Sequence, residues 1–134
     1  MTNITPVKTI LSAHGLRPTK QRLLAGEILF DGVNKHMTAE ALHREILETG
    51  KDHISLATIY NTLATFTGVG LLRSVTLDSG SVYYDTNITD HHHIYDVNTR
   101  ELSDLNAADV TISGLPDMPD GKTLDRIDLI FRVK

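Results

Sequence analysis

The chain has 134 residues, 40% of them hydrophobic, and a formal net charge of −4, so it can form one domain or two small ones. It contains no cysteine, which excludes disulfides, thiolate zinc sites and thiol redox chemistry. No apolar run approaches the roughly 20 residues of a membrane span, and the N-terminus lacks the apolar region of a signal peptide. We therefore expect a cytoplasmic protein without a membrane partner.

The charge is distributed unevenly along the chain. Residues 1–86 carry eight Lys or Arg and eight Asp or Glu, whereas residues 87–134 carry five and nine. No carboxylate lies between Asp52 and Asp78. Because phosphate repels carboxylates, a surface that faces DNA should exclude them. This gap favours a nucleic-acid interface in the first two thirds of the chain, with chance as the alternative.

Hydrophobic residues recur at helical spacing in four segments, which we predict as helices over residues 4–14, 19–30, 38–50 and 55–67. The last three segments begin with Thr19, Thr38 and Ser55, residue types that are preferred as N-caps. In the third helix we expect a shared apolar face of Ala39, Leu42, Ile46 and Leu47.

The fourth helix carries a second, uncharged stripe, formed by Ala57, Thr58, Asn61, Thr62 and Thr65. A solvated helix face usually carries Lys and Glu, whereas methyl, hydroxyl and amide groups beside Tyr60 suit the base edges of a DNA major groove. The alternative is a helix that another subunit covers on this side.

Strand-forming segments follow the helices. Residues 71–77 and 81–85 flank Asp78, Ser79 and Gly80 as a hairpin. Helices followed by a hairpin give the order of a winged helix-turn-helix, with the hairpin as the wing. We predict an α+β chain, with a DNA-binding winged-helix domain over residues 1–86 and a small α/β dimerisation and sensing domain over residues 87–134.

The second domain contains little apolar sequence. We expect strands at residues 93–97, 101–105 and 126–133, and only short helix between residues 106 and 123, where Gly and Pro recur. Three such strands cannot form a large core alone. We therefore expect a homodimer, whose two recognition helices would read a palindromic operator in double-stranded DNA.

Three consecutive histidines, His91, His92 and His93, precede strand sequence. On a strand, His91 and His93 point to one face and His92 to the other. Neutral imidazole is a common ligand of first-row metals and of haem iron. The cluster therefore predicts a metal or haem site. His92, on the opposite face, could join a second metal site or ligate haem; a solvated His92 is the alternative.

Three stretches of the sequence resemble the ferric uptake regulator family. They are Gly15-Leu16-Arg17-Pro18-Thr19-Lys20-Gln21-Arg22, Met37-Thr38-Ala39-Glu40-Ala41-Leu42 and Ile54-Ser55-Leu56-Ala57-Thr58-Ile59-Tyr60-Asn61-Thr62-Leu63. The triple histidine and the missing cysteines look most like its iron response regulator branch, whose members respond to haem or iron status.

The resemblance implies a metal-responsive regulator with its sensing site at five residues: His36, Asp85, His91, His93 and Asp104. Such nitrogen and oxygen donors suit Mn²⁺ or Fe²⁺ and could also hold Zn²⁺. His36 would belong to the DNA-binding part, and the others to the hinge and the C-terminal part. A bound ion would then fix the angle between the domains and supply the differential binding that a switch requires. Haem, if sensed, would rest on His91, His92 and His93.

The resemblance also implies roles on DNA. Tyr60 would contact base methyls, Asn61 stands where relatives often carry Arg, and Arg17 would reach the minor groove. The remaining residues would bind phosphate: Lys20, Arg22, Arg73, Ser55 and Thr58.

The sequence departs from the family pattern at the structural zinc site. Asp96 and Thr99 stand where relatives often carry a cysteine pair, so we expect no four-cysteine zinc site, and no Cys-Pro haem motif is present. A manganese- or peroxide-responsive regulator of the same fold is the main alternative. A non-haem iron oxygenase also uses two His and one carboxylate, but it needs a barrel of many strands. We therefore predict a regulator and not an enzyme.

Overall fold

The computed structural model describes residues 5–77 and 80–134. Four helices lie in the first part of the chain: α1 (Val7–Ala13), α2 (Lys20–Leu29), α3 (Ala39–Thr49) and α4 (Leu56–Gly68). The predicted N-caps are confirmed, since the side chains of Thr19, Thr38 and Ser55 each accept a hydrogen bond from a backbone N–H three residues later. These caps define where the last three helices begin.

Three short strands complete the N-terminal unit, which extends to Ile88. β2 (Arg73–Thr76) and β3 (Val82–Asp85) form the predicted antiparallel wing, although its turn residues Asp78 and Ser79 lie outside the described residues. A two-residue strand that was not predicted, β1 (His36–Met37), pairs with the other edge of β3. The resulting sheet order is β1-β3-β2, which places His36 directly opposite Asp85.

The core of the N-terminal unit lies among its helices. Phe66, Ile59 and Leu63 of α4 are fully buried together with Leu42 and Ile46 of α3. Burying each such side chain contributes about 1.5–3 kcal/mol. These contacts hold α4 in place and leave its opposite side in solvent.

Two side chains contradict the predicted helix faces. Leu47 is 41% exposed and does not join Leu42 and Ile46 in the core. Thr62 is only 7% exposed, and its hydroxyl donates to the Thr58 carbonyl, so it does not belong to the outward stripe of α4. A helix rotates by 100° per residue, and side chains at the margin of a face are therefore assigned by packing and not by spacing.

Gly26 allows α1 and α2 to pack closely, because a Cβ at this position would lie 2.5 Å from Val7 Cγ1. We expect Gly26→Ala to lower the free energy of unfolding by about 1 kcal/mol in urea titration, since overpacking costs about 1–3 kcal/mol and Ala recovers about 1 kcal/mol of helix propensity. Gly68→Ala is the matched control, since its added Cβ meets no atom within 4 Å. Equal stability of the two variants would contradict this packing.

The C-terminal unit, Thr89–Lys134, contains a second sheet. Its strands are β4 (His91–Asp96), β5 (Leu102–Asn106) and β6 (Ile130–Val133), in the order β5-β4-β6. β5 runs antiparallel and β6 parallel to the central strand. The last predicted strand is confirmed only in its final four residues, and a single 3₁₀ turn at Ala107–Asp109 is the helical structure described here.

The C-terminal unit buries few apolar side chains. Among its described residues, only Tyr95 and Leu102 are apolar or aromatic and buried. Its large exposed apolar side chains are Ile112, Leu115, Leu124, Phe131 and Val133. The sheet thus leaves apolar surface uncovered. Within the described part of the chain, no helix is both long and apolar enough to cross a membrane.

Candidate metal centre and DNA-facing surface

The first group of candidate ligands lies in the N-terminal unit. The β1–β3 pairing brings His36 Nε2 within 3.2 Å of Asp85 Oδ2. Asp85 is only 1% exposed, and its Oδ1 accepts a hydrogen bond from the backbone N–H of Asn87. A carboxylate this deeply buried needs a cationic or hydrogen-bonding partner. We predicted that Asp85 belongs with the hinge and the C-terminal part, whereas it is paired within the same sheet as His36.

The second group lies in the C-terminal unit. His91 and His93 share one face of β4, as predicted, and their Nε2 atoms are 3.1 Å apart. Asp104 is opposite His93 on β5, and its Oδ1 lies 3.5 Å from His91 Nε2 and 3.8 Å from His93 Nε2. We refer to His91, His93 and Asp104 as the histidine cluster. Both imidazoles are buried, and the carboxylate is exposed.

The geometry of the histidine cluster fits a divalent ion. Adjacent ligands of an octahedral ion with bonds of about 2.1 Å lie about 3.0 Å apart, close to the separation of the two Nε2 atoms. His91 Nδ1 lies 2.6 Å from the Thr89 carbonyl oxygen, to which a protonated Nδ1 donates. This contact favours the tautomer whose Nε2 is unprotonated, the outer arrangement typical of metal-bound histidine. Thr89 could not be predicted from the sequence, because its contribution is a backbone oxygen.

His92 points to the opposite face of β4, where its side chain is buried and already accepts a hydrogen bond, so the predicted solvated alternative is wrong. It is 7% exposed, and its Nδ1 accepts a hydrogen bond from the backbone N–H of Leu129 at 3.2 Å. This bond ties β4 to the segment that leads into β6. The contact accounts for a buried imidazole at this position, and a ligand role for His92 stays a prediction.

Two of the three isolated histidines have local side-chain contacts. His14 Nδ1 lies 2.8 Å from the Ile10 carbonyl oxygen on the surface of α1. His43 Nε2 lies 2.8 Å from the Ile54 carbonyl oxygen and so connects α3 to the segment before α4. His53 is exposed.

The exposed side of α4 carries Ala57, Tyr60 and Asn61, while Thr58 is half-buried. Ser55 Oγ lies 2.9 Å from Thr58 Oγ1 and also caps the helix, so both hydroxyls already have partners in the free protein. A shallow pocket of about 210 Å³ lies between α2 and α4. Its lining comprises Thr19, Gln21, Arg22, Thr58, Asn61, Thr62 and Thr65.

The fold brings two carboxylates to this surface, although the sequence of α4 itself has none. The Tyr60 hydroxyl donates to Glu40 Oε1 at 2.6 Å, across from α3 to α4. Lys20, a predicted phosphate contact, forms an ion pair with Asp52 at 3.4 Å. Although no carboxylate lies between Asp52 and Asp78 in the sequence, the folded surface still carries carboxylates. Glu40 of α3 and Asp52 of the segment after it supply them.

The predicted DNA-binding arginines have different environments. The Arg22 guanidinium donates to the Arg17 carbonyl at 2.9 Å, which orders the segment before α2. Arg73 is half-buried in β2, and the sheet register places it opposite Asp85. Directly paired residues share a face of the sheet, so Arg73 lies on the same face as the Asp85 carboxylate. Phosphate contact by these residues stays a prediction.

A winged helix followed by a small sheet with imidazole and carboxylate donors defines a class of metal-responsive transcription regulators. The sequence matches the ferric uptake regulator family over residues 13–113, three quarters of the chain, and the protein belongs to this family. Members of this family are transcription regulators and not enzymes, as predicted.

Two curated relatives illustrate the relationship. The ferric uptake regulation protein of Legionella pneumophila is 33% identical over 78 residues, which are 58% of this chain and 57% of that relative. The protein of the same description from Neisseria meningitidis serogroup A is 31% identical over 101 residues, which are 75% of this chain and 69% of that relative.

Solved structures share the fold. The structure of the ferric uptake regulator from Pseudomonas aeruginosa with manganese matches with a TM-score of 0.74 and 23% identity, covering 97% of this chain and 98% of that one. A zinc-bound manganese uptake regulator matches with a TM-score of 0.65 and 22% identity, covering 96% and 98%. The Campylobacter jejuni peroxide stress regulator matches with a TM-score of 0.62 and 22% identity, covering 96% of each chain. Identities this low show the fold alone.

Proposed function

We propose that this protein is a metal-responsive DNA-binding regulator of iron homeostasis, which acts in the cytoplasm as a homodimer on palindromic AT-rich operators. The observation that carries the proposal is the histidine cluster, in which two imidazole nitrogens 3.1 Å apart face one carboxylate. Nitrogen and oxygen donors without sulfur favour Mn²⁺ or Fe²⁺, and they also accept Zn²⁺.

The proposed switch is one ion shared between the histidine cluster and the His36–Asp85 pair. The histidine cluster offers three donors and the His36–Asp85 pair two, so an ion bound by both would gain five protein ligands, nearer to the octahedral preference of Mn²⁺ or Fe²⁺ than the three of the cluster alone. Because the two groups belong to different units, a shared ion would favour one arrangement of the winged helix over others. When bound, the ion would supply positive charge and directed bonds to its ligands. The chain supplies those ligands, and the Thr89 carbonyl orients the His91 ring.

The DNA-binding part of the proposal rests on the surface of α4. Tyr60 and Asn61 are exposed on it and would meet base edges, while Arg17, Lys20, Arg22 and Arg73 would contact the sugar-phosphate backbone together with Ser55 and Thr58. We place the DNA-binding domain at residues 1–86 and the dimerisation domain at residues 87–134.

The homodimer is supported by the apolar surface of the C-terminal unit. Phe131 is 46% and Leu115 is 53% exposed, in a unit that buries only two large apolar or aromatic side chains among its described residues. Pairing with a second copy would cover this surface and provide the second recognition helix that a palindrome requires.

Within the family, we favour the iron response regulator branch because of the three adjacent histidines and the absence of cysteine. We do not extend the proposal to haem. All three histidines are less than 9% exposed, and the Nδ1 atoms of His91 and His92 already contact backbone groups. The fold shared with manganese and peroxide regulators keeps those two effectors as the alternatives.

A mobility-shift assay tests the function. The probe is the duplex that the full-length protein enriches from a randomised palindromic library, with apo, Mn²⁺, Fe²⁺ and Zn²⁺ forms compared. We expect metal-dependent affinity that falls about a thousandfold between 50 and 200 mM salt, because phosphate contacts release counterions. Loss of binding on peroxide treatment of the Fe²⁺ form alone would favour the peroxide alternative. Failure of every form to enrich a sequence would refute the proposal.

A further inference from the structure

Glu40 and Tyr60 form a contact that joins α3 to α4 on the surface proposed to face DNA. The phenol O–H donates to Glu40 Oε1 at 2.6 Å, a short distance typical of hydrogen bonds to a charged acceptor. Tyr60 remains 42% exposed, so the contact occupies its hydroxyl and leaves its ring accessible. A carboxylate on this surface opposes phosphate binding by charge, so phosphate binding does not account for Glu40 at this position.

The space around the pair is open. A cavity of about 300 Å³ lies between the two helices and the wing, and its lining comprises Thr38, Glu40, Tyr60, Gly80, Ser81 and Val82. The hydrogen bond lowers the pKa of Glu40 and raises the pKa of Tyr60 above its ordinary value. Burial, and secondarily the charge of Glu40, also raises the pKa of Tyr84 on β3. The carboxylate is therefore ionised and the phenol neutral at physiological pH.

We propose that Glu40 is a positioning residue for sequence recognition, which fixes Tyr60 so that it presents its ring, and not its hydroxyl, to DNA. This inference rests on the proposed DNA-binding function and refines it. An aromatic ring offers apolar contact, and the base group that it recognises in the major groove is the thymine methyl. With its hydroxyl engaged by Glu40, Tyr60 cannot turn that group toward phosphate or toward the hydrogen-bonding edges of other bases.

The proposal predicts that affinity and selectivity separate when Glu40 is changed. Glu40→Gln keeps a hydrogen-bond acceptor but removes the charge, so we expect overall affinity to rise while selectivity is retained. Glu40→Ala removes both, so affinity for DNA of any sequence should rise while selectivity falls. Glu48→Ala is the control, because it removes an exposed carboxylate from the same helix without touching Tyr60.

The experiment compares two probes: the duplex enriched by the wild-type protein, and the same duplex with deoxyuridine in place of thymidine. A methyl group buried on binding is worth about fourfold in affinity, so wild type and Glu40→Gln should lose about fourfold per contacted thymine. Glu40→Ala should bind both probes equally, and Glu48→Ala should behave as wild type. Full methyl discrimination by Glu40→Ala would overturn the proposal.

A measurement without DNA distinguishes this inference from the function on which it rests. Tyrosine labelled with ¹³C allows the four phenols to be titrated separately by NMR. Glu40→Ala should bring the pKa of Tyr60 down toward its ordinary value, with Tyr84 as the other titratable neighbour. An unchanged Tyr60 would show that the hydrogen bond is absent in solution and would overturn the proposal. If the pKa of Tyr60 changes as expected but the wild-type protein enriches no DNA sequence, the proposed function is wrong, and this inference fails with it.

Discussion

Replacing His91 by alanine is expected to weaken Mn²⁺ binding at least about a hundredfold, measured by calorimetric titration of the full chain. His91 Nε2 lies at the centre of the histidine cluster, 3.1 Å from His93 Nε2 and 3.5 Å from Asp104 Oδ1. Loss of an outer-shell partner typically costs 10–100-fold in metal affinity, and loss of a direct ligand should cost at least as much. One tight site per wild-type chain is the expected reference.

The matched control is His53→Ala, which removes an exposed imidazole from the N-terminal unit. It should bind Mn²⁺ as wild type does. Thermal unfolding provides a second readout, because an ion at about 100 times its Kd stabilises the folded protein by about 2.7 kcal/mol. That stabilisation should disappear in His91→Ala and persist in His53→Ala. Wild-type affinity in His91→Ala would show that the ion binds elsewhere.

The helices were predictable because their signals are local. A Ser or Thr side chain that caps a helix acts on a backbone N–H three residues away, so Thr19, Thr38 and Ser55 specify where their helices begin without any knowledge of the tertiary structure. The alternation of His91 and His93 on one face is equally local, since it follows from the period of a strand. For the same reason, the sequence alone was enough to predict that these two histidines lie in one cluster.

The features that were missed depend on distant parts of the chain. β1 has two residues, too few for any periodic pattern, and it exists because His36 and Met37 meet the free edge of β3 about fifty residues later. Glu40 reaches Tyr60 across twenty residues, and no spacing rule relates the two. Leu47 was misassigned because its exposure depends on whether a neighbouring element covers that edge of α3. Tertiary contacts of this kind override local preference.

The second large effect concerns coupling between metal and DNA. We expect His36→Gln to abolish the dependence of DNA affinity on Mn²⁺ while the histidine cluster continues to bind the ion. Glutamine retains an N–H that can donate to the buried Asp85 carboxylate, but its amide is a poor ligand for a transition metal. If the ion acts by bonding both groups of ligands, removing His36 disconnects the winged helix from it. Allosteric coupling of this kind typically changes affinity by 5–150-fold.

The measurement is the ratio of DNA dissociation constants with and without Mn²⁺, obtained by fluorescence anisotropy on the enriched duplex. In wild type this ratio should depart from one by at least about fivefold in either direction, and in His36→Gln it should equal one. His53→Gln makes the same chemical change at an exposed histidine of the same unit and should keep the wild-type ratio. Since the ratio cancels any change in DNA affinity common to both forms, it isolates the coupling. A wild-type ratio in His36→Gln would mean that the ion acts without the N-terminal ligands, and the shared site would be wrong even if the histidine cluster binds Mn²⁺ tightly.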